Sequence, residues 1–204
     1  MERDTLTSEK IPVMAQALVD HIGKFITLDP EAQIRIPEFF ERLQVQKKDI
    51  LLPANRICDR LFFVAGGCVH AYFTDQHGVE KSIQFALENW WISDFQAFYR
   101  QKATENTIQA VEDSEVWSIT RTSYSALLSE HPEMESYFRQ MYEIGYGAAI
   151  TRIKFLFNYS KEEIFYSFSE QFPHFVSRVP QYVLATYLGL TPEYLSKLRA
   201  KRRS

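Results

Sequence analysis

Pro180-Gln181-Tyr182-Val183-Leu184-Ala185-Thr186-Tyr187-Leu188-Gly189-Leu190-Thr191-Pro192-Glu193-Tyr194-Leu195-Ser196-Lys197-Leu198-Arg199 is the stretch on which the reading of the fold turns. Counted as a helix from Gln181, it puts Leu184 and Leu188 one turn apart on a single face. Ala185 stands where a second helix must cross closely, and Gly189 can take the positive φ that ends the first helix. Thr191 then reads as an N-cap, Pro192 as an N1 residue and Glu193 as a first-turn acid that suits the helix dipole. Leu195 and Leu198 point back at the first helix. Every position that the geometry constrains is met, and the segment reads as a helix-turn-helix.

Around the second helix, Leu195 and Leu198 define the inward side. Glu193, Ser196, Lys197 and Ala200 lie opposite, flanked by Pro192 and Arg199 on one side and Tyr194 and Lys201 on the other. Short polar residues with one Lys near a helix N-terminus suit the major groove, where Lys can donate to guanine and Glu can accept from cytosine. Thr191, Arg202 and Arg203 complete the expected DNA-facing set, the bases neutralising phosphates. An αα-hairpin in a packed bundle carries the same pattern. The Ala, Gly, N-cap and basic outer face together favour duplex DNA.

Working back along the chain, His131-Pro132-Glu133 opens a long helix to about Tyr159. Met134, Phe138, Met141, Gly145, Ala148, Arg152 and Phe155 recur at steps of four and three, the spacing of a helix–helix seam. The small residues suit close pairing of two copies, so this stripe is expected to be a dimer seam; packing on the chain's own roll is the alternative. Before it, Ser123 to Ser129 reads as a short helix. From about Gln44 to Ile119 the texture is that of strands. Leu61 to Ala65, then Gly66-Gly67, then Cys68 to Phe73 reads as a hairpin. After the turn at 74–78, Val79, Lys81, Ile83 and Phe85 alternate with Glu80, Ser82, Gln84 and Ala86. Further strands are expected at Thr107 to Val111 and Glu115 to Ile119. Short strands with Gly-marked turns imply an antiparallel barrel or roll. Ile11 to Ile22 is apolar at helical spacing, and Asp29-Pro30-Glu31 reads as an N-cap with Pro at N1.

The 204 residues, 46% hydrophobic and 24% charged, are ordinary for a globular chain and too apolar for disorder. The apolar run Leu61 to Gly66 is far short of a membrane span, and the charged Met1-Glu2-Arg3-Asp4 has no signal-peptide character. Two cysteines exclude a disulfide framework, and the expected location is the cytoplasm. Residues 161–204 carry seven bases against four acids, which leaves a net −6 on residues 1–160. An acidic body with a basic tail suggests a second module facing a polyanion, although a solvated basic terminus has the same signature.

With these motifs in place, the chain from about residue 30 onward resembles the cyclic-AMP receptor protein (Crp/Fnr-type) superfamily of bacterial transcription regulators. The most specific residues are Arg178-Val179-Pro180-Gln181 leading into Ala185 to Ser196, and they look most like the branch common in Bacteroidetes-type bacteria. The resemblance implies an α+β fold: an N-terminal antiparallel β-roll of the cyclic-nucleotide-binding type (a double-stranded β-helix), a long dimerisation helix and a C-terminal helix-turn-helix domain of winged-helix-like kind. The corresponding domains are 1–130, 131–159 and 160–204. It further implies a homodimer on a palindromic operator, RNA polymerase as a protein partner and base contacts from Glu193 and Lys197. Pro192 stands where a well-known member has a base-contacting Arg, so that member's target sequence does not carry over.

Nucleotide-binding members of this superfamily hold the cyclic phosphate with a Gly-Glu pair and an Arg-Ser pair ten residues later. Anchored on Ile108-Gln109-Ala110-Val111, the equivalents here are Ser93-Asp94 and Thr104-Glu105. Thr104 brings no cation and Glu105 would repel phosphate, so cyclic AMP is not the expected effector. Arg100 or Lys102 substitutes only if the loop between Trp91 and Asn106 differs in length. Trp90, Trp91, Phe95, Phe98 and Tyr99 either line a pocket for a more apolar effector or simply fill the site.

Nothing points to catalysis. His21, His70, His77, His131 and His174 show no metal-ligand spacing, and no nucleophile elbow or phosphate loop is present. Cys58 and Cys68 read as small core residues. No enzyme activity, cofactor or metal is expected.

Overall fold

The computed structural model describes residues 15–203, and their side chains as far as Lys201. The helix expected from Ile11 therefore lies partly outside the described residues. Within them it is α1 (Gln16–Gly23), followed by α2 (Pro30–Arg35), whose N-cap Asp29 accepts from the Ala32 amide.

Eight short strands then build two four-stranded antiparallel sheets: β1 (Glu41–Val45), β2 (Ile50–Leu52), β3 (Arg60–Gly66), β4 (Val69–Thr74), β5 (Glu80–Ala86), β6 (Trp90–Ile92), β7 (Thr107–Ala110) and β8 (Ser114–Thr120). One sheet runs β1-β8-β3-β6 and the other β2-β7-β4-β5. A six-residue helix, α3 (Phe95–Arg100), interrupts the roll after β6.

The expected hairpin across Gly66-Gly67 is corrected by this topology. β3 and β4 belong to different sheets, so the chain crosses from one sheet to the other at Gly67. Gly67 has φ +96°, and a Cβ there would collide with Ser114; the glycine serves a sheet change, not a turn within one sheet. The true hairpin is the next one. β4 and β5 pair directly, with Gly78 at φ +76° and Asp75 accepting from the His77 and Val79 amides. The alternation along β5 is broken by a bulge that leaves Ile83 unpaired between the Ala71↔Gln84 and Tyr72↔Ser82 pairs.

α4 (Arg121–Glu130), capped by Thr120, leads into α5 (Glu133–Asn158), a helix of 26 residues. Tyr159 leaves helical backbone, and Ser160 and Glu163 cap each other at the start of α6 (Lys161–Gln171). α7 (Pro173–Arg178), α8 (Gln181–Tyr187) and α9 (Pro192–Arg203) complete an all-helical C-terminal module. Among the described residues this module contains no strand, and α7, opened by Pro173 at N1, precedes α8.

Two apolar cores result. The first fills the roll and extends under α1 and the start of α5. There the buried Tyr137 hydroxyl accepts from Trp91 Nε1 (2.8 Å) and lies 2.8 Å from His21 Nδ1, tying α5, β6 and α1 together. The second core joins Ile164, Phe165, Phe175, Leu184 and Leu195 of the C-terminal module to Cys68 and Val111 of the roll. The C-terminal module is thus packed on the outer face of the β4–β5 sheet, where Phe85 meets Phe175 and Tyr187 edge-on.

Candidate nucleic-acid interface and effector region

The helix-turn-helix is built as its local chemistry requires. Leu184, Ala185 and Leu195 are fully buried where α8 and α9 cross. Gly189 has φ +70°, which lets the Leu190 amide turn back onto the Ala185 carbonyl at 2.8 Å. Thr191 Oγ1 accepts from the Tyr194 amide (3.2 Å), opening α9. Thr191, Pro192, Glu193, Ser196, Lys197 and Ala200 are exposed along one side of α9, and Tyr194 is half-buried against the module's core. These short side chains leave an open helix face that a duplex groove can approach.

The bases divide into bound and open. Arg199 donates to the Val176 carbonyl (3.1 Å) and to Gln181 Oε1 (3.4 Å), which ties α9 to α7 and α8. Lys201 pairs with Glu162 of α6 at 2.7 Å. Arg178 faces Glu88 and Glu112 of the roll. The flanking positions assigned to DNA thus include two, Arg199 and Lys201, already engaged within the module. Lys197 carries no such partner among the described residues. The side chains of Arg202 and Arg203 lie outside the described residues.

The effector positions come together, but not as an open pocket. Asp94 caps α3 through Oδ1, which accepts from the Ala97 amide at 2.9 Å. Its Oδ2 accepts from Thr104 Oγ1 (2.7 Å) and from Asn106 Nδ2 (3.0 Å). Ser93 donates to the Arg60 carbonyl and contacts the buried Cys58 sulfur, whose thiol burial pushes up. Trp91 and Phe98 are core residues, and Thr104 is 1% exposed. Arg100, Lys102 and Glu105 are exposed instead of lining this cluster. The spacing that placed Asp94 and Thr104 together was legible; Asn106, the third member, was missed although it lies only two residues beyond Thr104.

The expected dimer stripe divides between contacts within the chain and exposed positions. Phe138 is buried in the roll's core and Met141 packs against it. Gly145 and Ala148 are exposed and border the space between α5 and the roll, as do Tyr142, Tyr146, Ala149 and Ile153. Arg152 donates to the carbonyls of Ile83 (3.1 Å) and Ser82 (3.4 Å) on β5 and of Tyr187 (2.8 Å) on α8, while Phe155 faces the C-terminal module. Phe138, Met141, Arg152 and Phe155 thus meet the chain itself, whereas Gly145 and Ala148 are exposed. A further exposed apolar stripe lies about a third of a turn away: Tyr142, Tyr146, Ala149, Ile153 and Phe157, with Tyr146 at 71% and Phe157 at 85% exposure. Its spacing of four, three, four and four is as helical as the one expected.

Two cavities flank α5. The larger, about 790 Å³, lies between α5, α1 and the β5–β6 edge, and the smaller, about 340 Å³, between α5, the C-terminal module and β5. Among the described residues no three His, Cys, Asp or Glu side chains are grouped to hold a metal, and no helix is long and apolar enough to cross a membrane. His21 and His70 are both buried, which lowers each imidazole to about 4 and keeps it neutral. Cys68 is pushed up to about 12 by burial.

Comparison with known proteins finds the same arrangement of a β-roll, a long helix and C-terminal helices elsewhere. Residues 42–131 match the cyclic nucleotide-binding domain family. The chain resembles FixK2 from Bradyrhizobium japonicum, with a TM-score of 0.68 at 15% identity over 79% of this chain and 83% of that one. A protein assigned to the Crp/Fnr family, from Eubacterium rectale, gives 0.65 at 14% identity over 88% of each chain. The c-di-GMP-responsive regulator CLP from Xanthomonas campestris gives 0.63 at 13% identity over 86% of this chain and 92% of that one. No curated protein matches the chain in sequence. The chain thus shares the fold of these proteins, and residues 42–131 match the cyclic nucleotide-binding domain family.

Proposed function

We propose that this chain is a sequence-specific DNA-binding transcription regulator acting as a homodimer, with a roll that does not respond to cyclic AMP. The observation that carries the reading is the open face of α9, with Glu193, Ser196 and Lys197 exposed on a helix whose opposite side is locked to α8 by Leu195 and Leu198. In this reading residues 1–130 form the sensor, 131–159 the dimer helix and 160–204 the DNA-binding domain, and RNA polymerase is the protein it acts on. The dimer seam is assigned to Tyr142, Tyr146, Ile153 and Phe157. Asp94 and Thr104 are bonded to each other, and no base stands among them to receive a phosphate.

A second reading is favoured by one observation. Arg178, Arg199 and Lys201 all have partners inside the chain, which weakens the electrostatic footprint expected of a DNA reader and suits a protein-interaction module. Enrichment of random duplexes by the purified protein separates the two. An inverted repeat with half-sites about 10 base pairs, or about 34 Å, apart supports the regulator. No selection at any salt concentration supports the interaction module.

A further inference from the structure

The smaller cavity sits where β5, α5 and the C-terminal module meet, and its walls include Phe85, Trp90, Phe155, Phe168, Phe172 and Tyr187. Among the residues lining it, Arg152 alone carries a charge. Its terminal nitrogens donate to three backbone carbonyls, and the guanidinium stacks 4.3 Å from the centre of the Tyr187 ring. Carbonyl dipoles solvate a cation but do not neutralise it. No carboxylate pairs with Arg152 among the described residues, and its Nε, covered by protein, has no acceptor. A guanidinium has five N–H donors and stays charged, so part of its capacity is unused in an apolar setting.

We propose that this cavity binds a small amphipathic carboxylate, its apolar body among the aromatic side chains and its head group on Arg152. A single guanidinium matches one planar monoanion, and no second base lines the cavity to hold a phosphate dianion. The volume, about 340 Å³, falls in the range of small-molecule sites. Such a ligand touches β5, α5 and α8 together, so it bears on how the C-terminal module rests on the roll. The inference concerns binding alone and does not depend on the DNA-reading proposal.

The probe is decanoate, with decanol as its uncharged counterpart, titrated into the purified full chain by calorimetry and by tryptophan fluorescence from Trp90. Saturable binding of one decanoate per chain is expected, with decanol about tenfold weaker or worse. Arg152→Gln should remove that difference. Ala148→Glu places a carboxylate one helical turn from Arg152 and should compete with the head group. Thr151→Trp, at a position bordering only the smaller cavity, should abolish binding while leaving the unfolding midpoint in place. If Arg152→Gln fails to fold, the other two variants decide. Absent or unsaturable binding, equal affinity for decanoate and decanol, or undiminished binding in Thr151→Trp overturns the proposal.

Discussion

Arg178, the last residue of α7, and Glu88, in the turn after β5, share two hydrogen bonds: Nη1 to Oε2 at 3.1 Å and Nη2 to Oε1 at 2.9 Å. Glu112 approaches the same guanidinium, and Glu88 also accepts from the Gly67 amide at 3.0 Å. One side chain of the C-terminal module is thereby clamped to two loops of the roll. Because these groups are about a third exposed, water screens the pair. Arg178→Ala is expected to cost about 1 kcal/mol of stability, near the top of the range for surface pairs. Hydrogen exchange at α8 and β5 should speed up selectively. Exchange that stays at wild-type rates in both elements would show that the apolar contacts alone hold the module.

The dimer seam can be tested by direction. Ile153→Glu puts a charge on the exposed stripe of α5, opposite its own copy across a two-fold axis, and should yield a folded monomer by light scattering. Ala148→Glu faces the chain's own cavity, where Arg152 can pair with it, and should leave the dimer intact. The opposite result from the two variants would return the seam to the stripe of Gly145 and Ala148.

Among the described side chains of α9, Lys197 is the base without an ion-pair partner. Lys197→Ala should lower discrimination by about 1–3 kcal/mol at one base pair per half-site. A phosphate contact would instead weaken all sequences equally and flatten the salt dependence. Competition assays against single-base variants of the enriched site distinguish the two.

Among the described residues no cation pairs with Asp94, whose partners here are Thr104 and Asn106, and an uncompensated buried charge costs about 3–5 kcal/mol. At about 1.4 kcal/mol per tenfold, a micromolar site becomes millimolar or weaker. Calorimetry with cyclic AMP and cyclic GMP should therefore give no heat of binding at micromolar concentrations. Thr104→Arg would not create the missing partner, because Thr104 is 1% exposed and donates to Asp94; it should destabilise the roll. Micromolar heat from either nucleotide would place the phosphate elsewhere on the roll.

His21 and His70 make stability fall in acid. Burial lowers both to about 4, whereas unfolded imidazoles titrate near the usual 6.5. Below that value the unfolded chain binds the extra protons, so stability is full above about 6.5 and is lost as pH falls toward 4. Each histidine contributes up to about 3 kcal/mol of that loss. Urea midpoints between pH 7.5 and 4.5 should drop, and His70→Gln should make the drop distinctly shallower. An equally steep acid limb in the variant would mean that His70 is already protonated in the fold.

What could be read from residues alone was local. The helix-turn-helix needs Leu184 and Leu188 one turn apart, a positive φ at Gly189 and a cap at Thr191, and each is a constraint within a few residues of its partner. Asp29 before Pro30 and the Asp75–Gly78 turn are of the same kind: a side chain or a glycine satisfies backbone groups of its own neighbourhood. The spacing of Asp94 and Thr104, with no base at either position, likewise carried the argument against a bound phosphate before any contact was known.

Tertiary structure decided whatever depended on which surface comes to rest against which. α5 carries two apolar stripes of equal period, and periodicity cannot tell which one the roll will cover. It covers Phe138 and Met141, and so leaves Tyr146 and Phe157 to solvent. Gly66-Gly67 has the composition of a turn, but the sheet into which the next strand pairs is settled by contacts with β7, about forty residues later. Arg152 looks like a charge interrupting a seam. Only the meeting of the β5 bulge with the end of α8 gives it three carbonyls to hold, because the Ile83, Ser82 and Tyr187 oxygens converge in space from distant parts of the chain.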